Sequence, residues 1–466
     1  MIFTSSLFLF LFLPVFLALF HALPFRLRTP WLLASSWVFY AWWRVDFLAL
    51  LLAISTAAWL LGRWIGSAGR ERRARARAIL AAGVTLCIAT LAYFKYAGFG
   101  VASLNALLTG FGAGALPGVQ VILPVGISFS LFKAIAYMVD VYRGTVPAAG
   151  GWLDVAAYVA IFPQVISGPI DRYGDLVPQL HKDARSLAGF SSGAMRFMQG
   201  FCKKVLVADV IASLADSAFA LTRPSLADAW LGTCAYTMQI YFDFSGYTDM
   251  AVGLGKMMGL RFMENFRQPY LSGSISEFWK RWHISLSSWL RDYLYISLGG
   301  NRRGLARTCA NLMIVMVLGG MWHGAALTFA VWGAWHGILL VAERLRGHAS
   351  RARKIPRPIA VALTMVLVSV GWVLFRSPSL PGAARMYAGM IGLNGAGLSA
   401  EFRWQVGSLA VAVLAIAVAG VYLGPWIVRR WQRAASLAVF AVLPLFLLAV
   451  LKVVAESSPA FLYGKF

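Results

Sequence analysis

The chain has 466 residues, 60% of them hydrophobic and only 13% charged, with a mean hydropathy of +0.70, which excludes a soluble globular domain. Its net charge of +24 comes from cations in short loops, at Arg63 to Arg77, Arg302 with Arg303, Arg344 to Arg357 and Arg429 to Arg433. The positive-inside rule accounts for such blocks, so nucleic acid is excluded as a partner and the lipid bilayer is expected as one.

In chain order, apolar runs predict membrane helices at Ile2 to Leu23, Trp31 to Trp43, Phe47 to Leu61, Ile79 to Tyr93, Trp230 to Tyr241, Asn311 to Trp322, Ala325 to Val341, Ile359 to Leu374, Val406 to Val428 and Ala435 to Val454. Several are shorter than the ~20 residues of a straight span, so broken and re-entrant helices are expected among roughly eleven spans. The first run lacks a basic segment before it and is followed by Arg26 and Arg28, which predicts a retained span with its N-terminus outside the cytoplasm. No composition shift marks a soluble domain, so residues 1–466 are expected to form one membrane domain. Breaks are expected at Leu116 to Gly118, Leu123 to Gly126, Phe162 to Pro169 and Leu298 to Gly304, where Gly and Pro cluster.

Cys87, Cys202, Cys234 and Cys309 are far apart without CxxC spacing, which points to small buried residues and to neither a disulfide framework nor a metal site. Gly189 to Gly193, GFSSG, matches the GxSxG of serine hydrolases, but that motif needs a strand-to-helix elbow. It is expected to be a loop. Asp243 and Asp249, in QIYFDFSGYTDM, are expected to cap helix ends or pair with arginines.

The segment Ser276 to Tyr295 carries an apolar stripe, Phe278, Trp282, Leu286, Trp289 and Tyr293, at helical spacing. Its charged faces predict a helix at the interface or beside a cavity, with His283 between the faces. Beyond it, MWHGAALTFAVWGAWHG places His323 and His336 within apolar sequence. The flanking cations require this segment to enter and return with His323 near its apex, ~24 Å from Arg307 on a helix. A desolvated neutral imidazole is a good general base for a hydroxyl attacking an acyl carbon, which makes His323 the candidate base. On one continuous helix His336 would lie ~20 Å from it, a distance that suits a structural role. His283 could approach His323 and polarise the acyl carbonyl or orient the acceptor.

With YAWW at Tyr40, FKY at Phe94, LPVGISF at Leu123, FPQVISGP at Phe162, GFCKKVLVAD at Gly200, YFDFSGYTDM at Tyr241, GGNRRG at Gly299 and the double WHG, the chain resembles the membrane-bound O-acyltransferase family. The resemblance is to its bacterial branch of alginate and peptidoglycan O-acetyltransferase membrane subunits and teichoic acid D-alanyl transferases. It implies an all-α polytopic fold, about eleven transmembrane helices with re-entrant and interfacial helices around a central tunnel. It further implies acyl transfer from a cytoplasmic thioester, acetyl-CoA or an acyl carrier, with no tightly bound cofactor. The family's essential histidine maps onto His323 and its second onto His283. The ending FLYGKF resembles a motif whose tyrosine, here Tyr463, carries the acyl group to a periplasmic esterase-like partner; this requires an external C-terminus, as the basic block at Arg429 to Arg433 also predicts. Lys203, Lys204, Arg302 and Arg303 are candidates for donor phosphates, although topology alone would explain them. The expected product is an O-acetylated polysaccharide at the bacterial inner membrane, alginate favoured. Peptidoglycan, cellulose, D-alanyl transfer and a non-catalytic transporter or assembly subunit remain the alternatives.

Overall fold

A computed structural model describes residues 1–68, 72–119, 121–347, 355–430 and 434–456, and these contain helices and no strands. Tyr463 lies outside the described residues. The helices are α1 (Leu13–Ala22), α2 (Phe25–Ala41), α3 (Asp46–Ser67), α4 (Arg73–Gly110), α5 (Ile127–Arg143), α6 (Trp152–Ala160), α7 (Phe162–Val165), α8 (Tyr173–Leu180), α9 (Leu187–Cys202), α10 (Asp209–Ala220) and α11 (Leu226–Met257), followed by α12 (Ile275–Arg281), α13 (Ile284–Trp289), α14 (Gly304–His323), α15 (Leu327–Leu345), α16 (Arg357–Arg376), α17 (Leu380–Met390), α18 (Ala400–Gln405), α19 (Ser408–Arg430) and α20 (Ala434–Ala455).

Each apolar run of the sequence lies wholly or largely within helix. Among the described residues, five helices are long and apolar enough to cross a bilayer unaided: Asp46–Ser67, Arg73–Gly110, Gly304–His323, Arg357–Arg376 and Ser408–Trp426. The first and last runs form shorter apolar helices, Phe8–Ala22 and Phe440–Ala455. The count of eleven is therefore not reached by unbroken spanning helices. Of the remaining runs, Trp31 to Trp43 lies largely in the 17-residue α2, Trp230 to Tyr241 in the 32-residue α11 and Ala325 to Val341 largely in the 19-residue α15. The chain is a multi-pass membrane protein.

Two compact units are present, Met1–Ala194 with Ala251–Met263, and Met195–Met250 with Glu264–Phe466. In the first, Phe162 packs against Phe12, Phe16 and Phe39 at ring-centroid distances of 5.3, 4.9 and 5.5 Å. The irregular PQVISGPID stretch is enclosed by protein: Gln164 and Ser167 are 0% exposed. Lys133, also buried, donates from Nζ to the Tyr158 carbonyl and to Gln164 Oε1, and Gln164 Nε2 donates to Asp171 Oδ2. Asp171 Oδ1 accepts the Met263 amide at 2.9 Å. Lys133, Gln164 and Asp171 thus satisfy one another inside the protein, as a buried loop requires, while the Ser167 hydroxyl has no partner among the described residues. Gly126 adopts φ +74°, and a Cβ there would stand 2.0 Å from the Val165 carbonyl oxygen, so LPVG and FPQV meet only because this residue is glycine.

GFSSG lies within α9, a helix and not the expected loop. Ser186 Oγ accepts the Gly189 amide at 3.0 Å near its start. Gly193 serves close packing, since a Cβ there would meet the Gly253 carbonyl oxygen at 2.6 Å.

Candidate active site

The second unit carries the candidate histidines His283, His323 and His336. Helices α14 and α15 form a hairpin in which Gly320 packs against Gly333, Gly333 against Met316 and Gly337 against Met313. Small residues let the two backbones approach closely. His323, the last residue of α14, sits at the apex as expected, 3% exposed. The helix does break here, between His323 and Leu327. The ~20 Å separation held only for one continuous helix and does not apply: Trp332 packs against both imidazoles, 5.3 Å from His323 and 5.1 Å from His336 by ring centroids. His336 is 0% exposed and boxed by Phe278, Trp279 and Trp332.

The predicted stripe is buried at all five positions, Phe278, Trp282, Leu286, Trp289 and Tyr293. The single amphipathic helix is not observed. The backbone runs as α12, breaks at Trp282 and His283, resumes as α13 and widens into a π-helix over Leu290–Tyr295. His283 adopts φ 43°, a left-handed conformation unusual for a residue with a side chain. Asn265 holds the break. Its carbonyl accepts the Ile284 amide at 3.0 Å, its Oδ1 accepts the Ser285 amide at 3.1 Å, and the Arg267 amide donates to the Arg281 carbonyl. The break turns the His283 ring inward, edge-on to Phe244 at 4.7 Å and 6.4 Å from the Trp322 ring. Trp322 in turn lies 4.9 Å from His323. The two predicted site histidines therefore share one indole neighbour.

The start of α12 is fixed from α15. Glu343 accepts the Ile275 and Ser276 amides and the Ser276 hydroxyl at 2.6, 2.9 and 2.7 Å, a carboxylate on a helix N-terminus. Between these elements is a cavity of about 410 Å³, whose lining includes Trp279, Lys280, Arg291, Met316, His323 and Trp332. Two cations and no carboxylate are among its lining residues. Such a space suits an anionic molecule with an apolar arm, its far end within reach of an imidazole.

Residues 151–373 match the profile of the membrane-bound O-acyltransferase family. The chain is 53% identical over 418 residues to the "Probable alginate O-acetylase AlgI" of Pseudomonas putida, covering 90% of this chain and 86% of that one. The chain belongs to the membrane-bound O-acyltransferase family. It is also 34% identical to the peptidoglycan O-acetyltransferase of Helicobacter pylori, over 85% of this chain and 81% of that one, and 28% identical to the teichoic acid D-alanyltransferase of Bacillus subtilis, over 54% and 68%. It is an all-helical membrane O-acyltransferase.

Within this O-acyltransferase the remaining candidates separate. Lys204 is 3% exposed and pairs with Asp209 and Asp243. Lys203 pairs with Asp249 at 2.6 Å, and Arg196 bridges Asp249 and Glu264. Asp243 and Asp249 are thus the pairing residues expected of them, with lysines as well as an arginine, and stand mid-helix in α11, so the capping alternative does not apply. Both lysines are held by carboxylates. Their helices touch backbone to backbone, since a Cβ at Gly200 would lie 2.5 Å from the Gly246 carbonyl oxygen. Arg302 and Arg303 are exposed on the turn before α14, which Asn311 pins by donating to the Gly300 carbonyl at 2.9 Å. Lys280, Arg291, Trp279 and Trp332 were not singled out from sequence. Lys280 and Arg291 belong to the charged faces of the Ser276 to Tyr295 segment, which marks neither as a cavity residue.

Proposed function

We propose that the chain moves an acetyl group from a cytoplasmic thioester, acetyl-CoA or an acyl carrier protein, across the bacterial inner membrane for O-acetylation of an extracytoplasmic polysaccharide, with alginate the favoured acceptor. The observation that carries this reading is His323 at the apex of the α14–α15 hairpin and in the wall of the cavity. The names of the alginate relatives support the acceptor.

In this reading the donor arm occupies the cavity and its phosphate meets Lys280 and Arg291, with Arg302 and Arg303 as further exposed cations. The ion-paired Lys203 and Lys204 hold helices together instead. His323 takes the proton of the attacking hydroxyl, His283 orients the acceptor beside it, and walls of Leu290, Val315 and Met316 restrict the water that would hydrolyse the thioester. Tyr463 is the outer carrier from which a periplasmic esterase-like partner takes the group, with both termini on the periplasmic side. The basic block before α20 supports that placement.

His323→Ala is expected to abolish acetylation while the protein still inserts and folds; normal acetyl transfer by this variant refutes the reading. In membranes given radiolabelled acetyl donor, label should appear on the chain and be lost in Tyr463→Phe.

A further inference from the structure

Acyl transfer needs more than a base. When an acceptor oxygen adds to a thioester carbonyl, the carbonyl oxygen becomes an anion, and an enclosed site stabilises it only with a fixed hydrogen-bond donor. The cavity's two cations, Lys280 and Arg291, are exposed to solvent. A buried donor is required closer to His323.

Trp332 lines the same cavity as His323, and its ring stands perpendicular to the imidazole, 89° between planes at 5.3 Å. It is 1% exposed, and its indole N–H has no hydrogen-bond partner among the described residues. Two other indoles of this unit are satisfied, Trp335 donating to the Leu367 carbonyl and Trp230 to the Met390 carbonyl, each at 3.0 Å, whereas the Trp279 N–H on the same cavity wall also lacks a partner among the described residues. A buried N–H without an acceptor is costly, and such groups call for a reason. Trp332 is also clamped. Trp372 stacks on it at 5.8 Å, and Phe375 touches both Trp332 and His323, at 5.0 and 5.1 Å. A donor held by packing on three sides needs no reorganisation as charge develops.

We infer that Trp332 is a catalytic residue of the acyl transfer, its indole N–H donating to the oxyanion that forms beside His323. The acceptor oxygen bonds to the carbonyl carbon while its proton passes to His323, and the carbonyl π electrons move to the oxygen that Trp332 stabilises. Collapse restores the double bond and breaks the carbon–sulfur bond. The thiolate then takes the proton from His323, leaving ester and thiol.

This inference rests on the proposed O-acetyl transfer through His323. Its test replaces Trp332 by 3-benzothienylalanine, which puts sulfur where the N–H stood and keeps the ring's shape. The full chain in membranes is given radiolabelled acetyl-CoA and, separately, acetyl-acyl carrier protein, and single-turnover labelling is measured beside Trp332→Phe and His323→Ala. The expected result is a rate lower on the order of 10²-fold with unchanged KM and unchanged melting temperature. A benzothienyl variant within about twofold of the parent rate, with His323→Ala inactive, overturns the role of Trp332 alone. Labelling that survives His323→Ala overturns the wider reading.

Discussion

At the scale of single residues, two lysines define opposite uses of a positive charge. Lys204 has a side chain 4% exposed between two carboxylates, and its removal leaves uncompensated anions where water cannot reach. Lys204→Met is expected to cost on the order of 3–5 kcal/mol, read as a lower melting temperature in detergent. Lys280 is exposed, lines the cavity and makes no ion pair among the described residues. Lys280→Gln is expected to leave the melting temperature unchanged and raise KM for acetyl-CoA several-fold, more so when combined with Arg291→Gln. Sequence alone offers Lys204 as a phosphate candidate and does not single out Lys280. A KK pair beside a helix resembles a topology signal or a phosphate site, because Asp243 and Asp249 lie some 40 positions away on another helix and only Asp209 is near in sequence.

At the scale of elements, the break at His283 is the feature that sequence periodicity hid. A stripe at spacings of three and four survives a single left-handed residue, so all five stripe positions were legible and the kink was not. The residue that holds it, Asn265, is 18 positions upstream and gives no local signal. Asn265→Ala removes the acceptor for the buried Ser285 amide. The expected loss is about 1–3 kcal/mol, with a fall in activity as His283 leaves its place near Trp322. Full activity at normal stability would show that the break maintains itself. The hairpin of α14 and α15 was legible because cations flank an apolar segment too long to be a single span. The meeting of His323 and His336 around Trp332 was not, since it depends on where the helix stops.

For the whole molecule, charge distribution and apolar length made the all-helical membrane class plain. The number of spans was less legible, because hydropathy does not show where a helix breaks or is enclosed by protein, as α5 and α6 are around Lys133. The proposed orientation has a direct check. Asn301 is exposed on the turn before α14, so a single cysteine there, in a chain otherwise free of cysteine, should react with an impermeant maleimide in inside-out vesicles and not in intact spheroplasts. Labelling from the outer face would invert the assignment of donor and acceptor sides.

The placement of one imidazole at the end of α14 has an energetic corollary. Twenty residues of helix span ~30 Å, so in the proposed reaction the reacting carbon is brought almost to the opposite leaflet before any bond changes. The acetyl unit is exchanged there for the acceptor's hydrogen, which leaves on the thiol, so no net charge crosses. Export therefore needs neither an ion gradient nor a moving carrier, and it is indifferent to the electrical potential across the bilayer. Directionality comes from thioester cleavage alone.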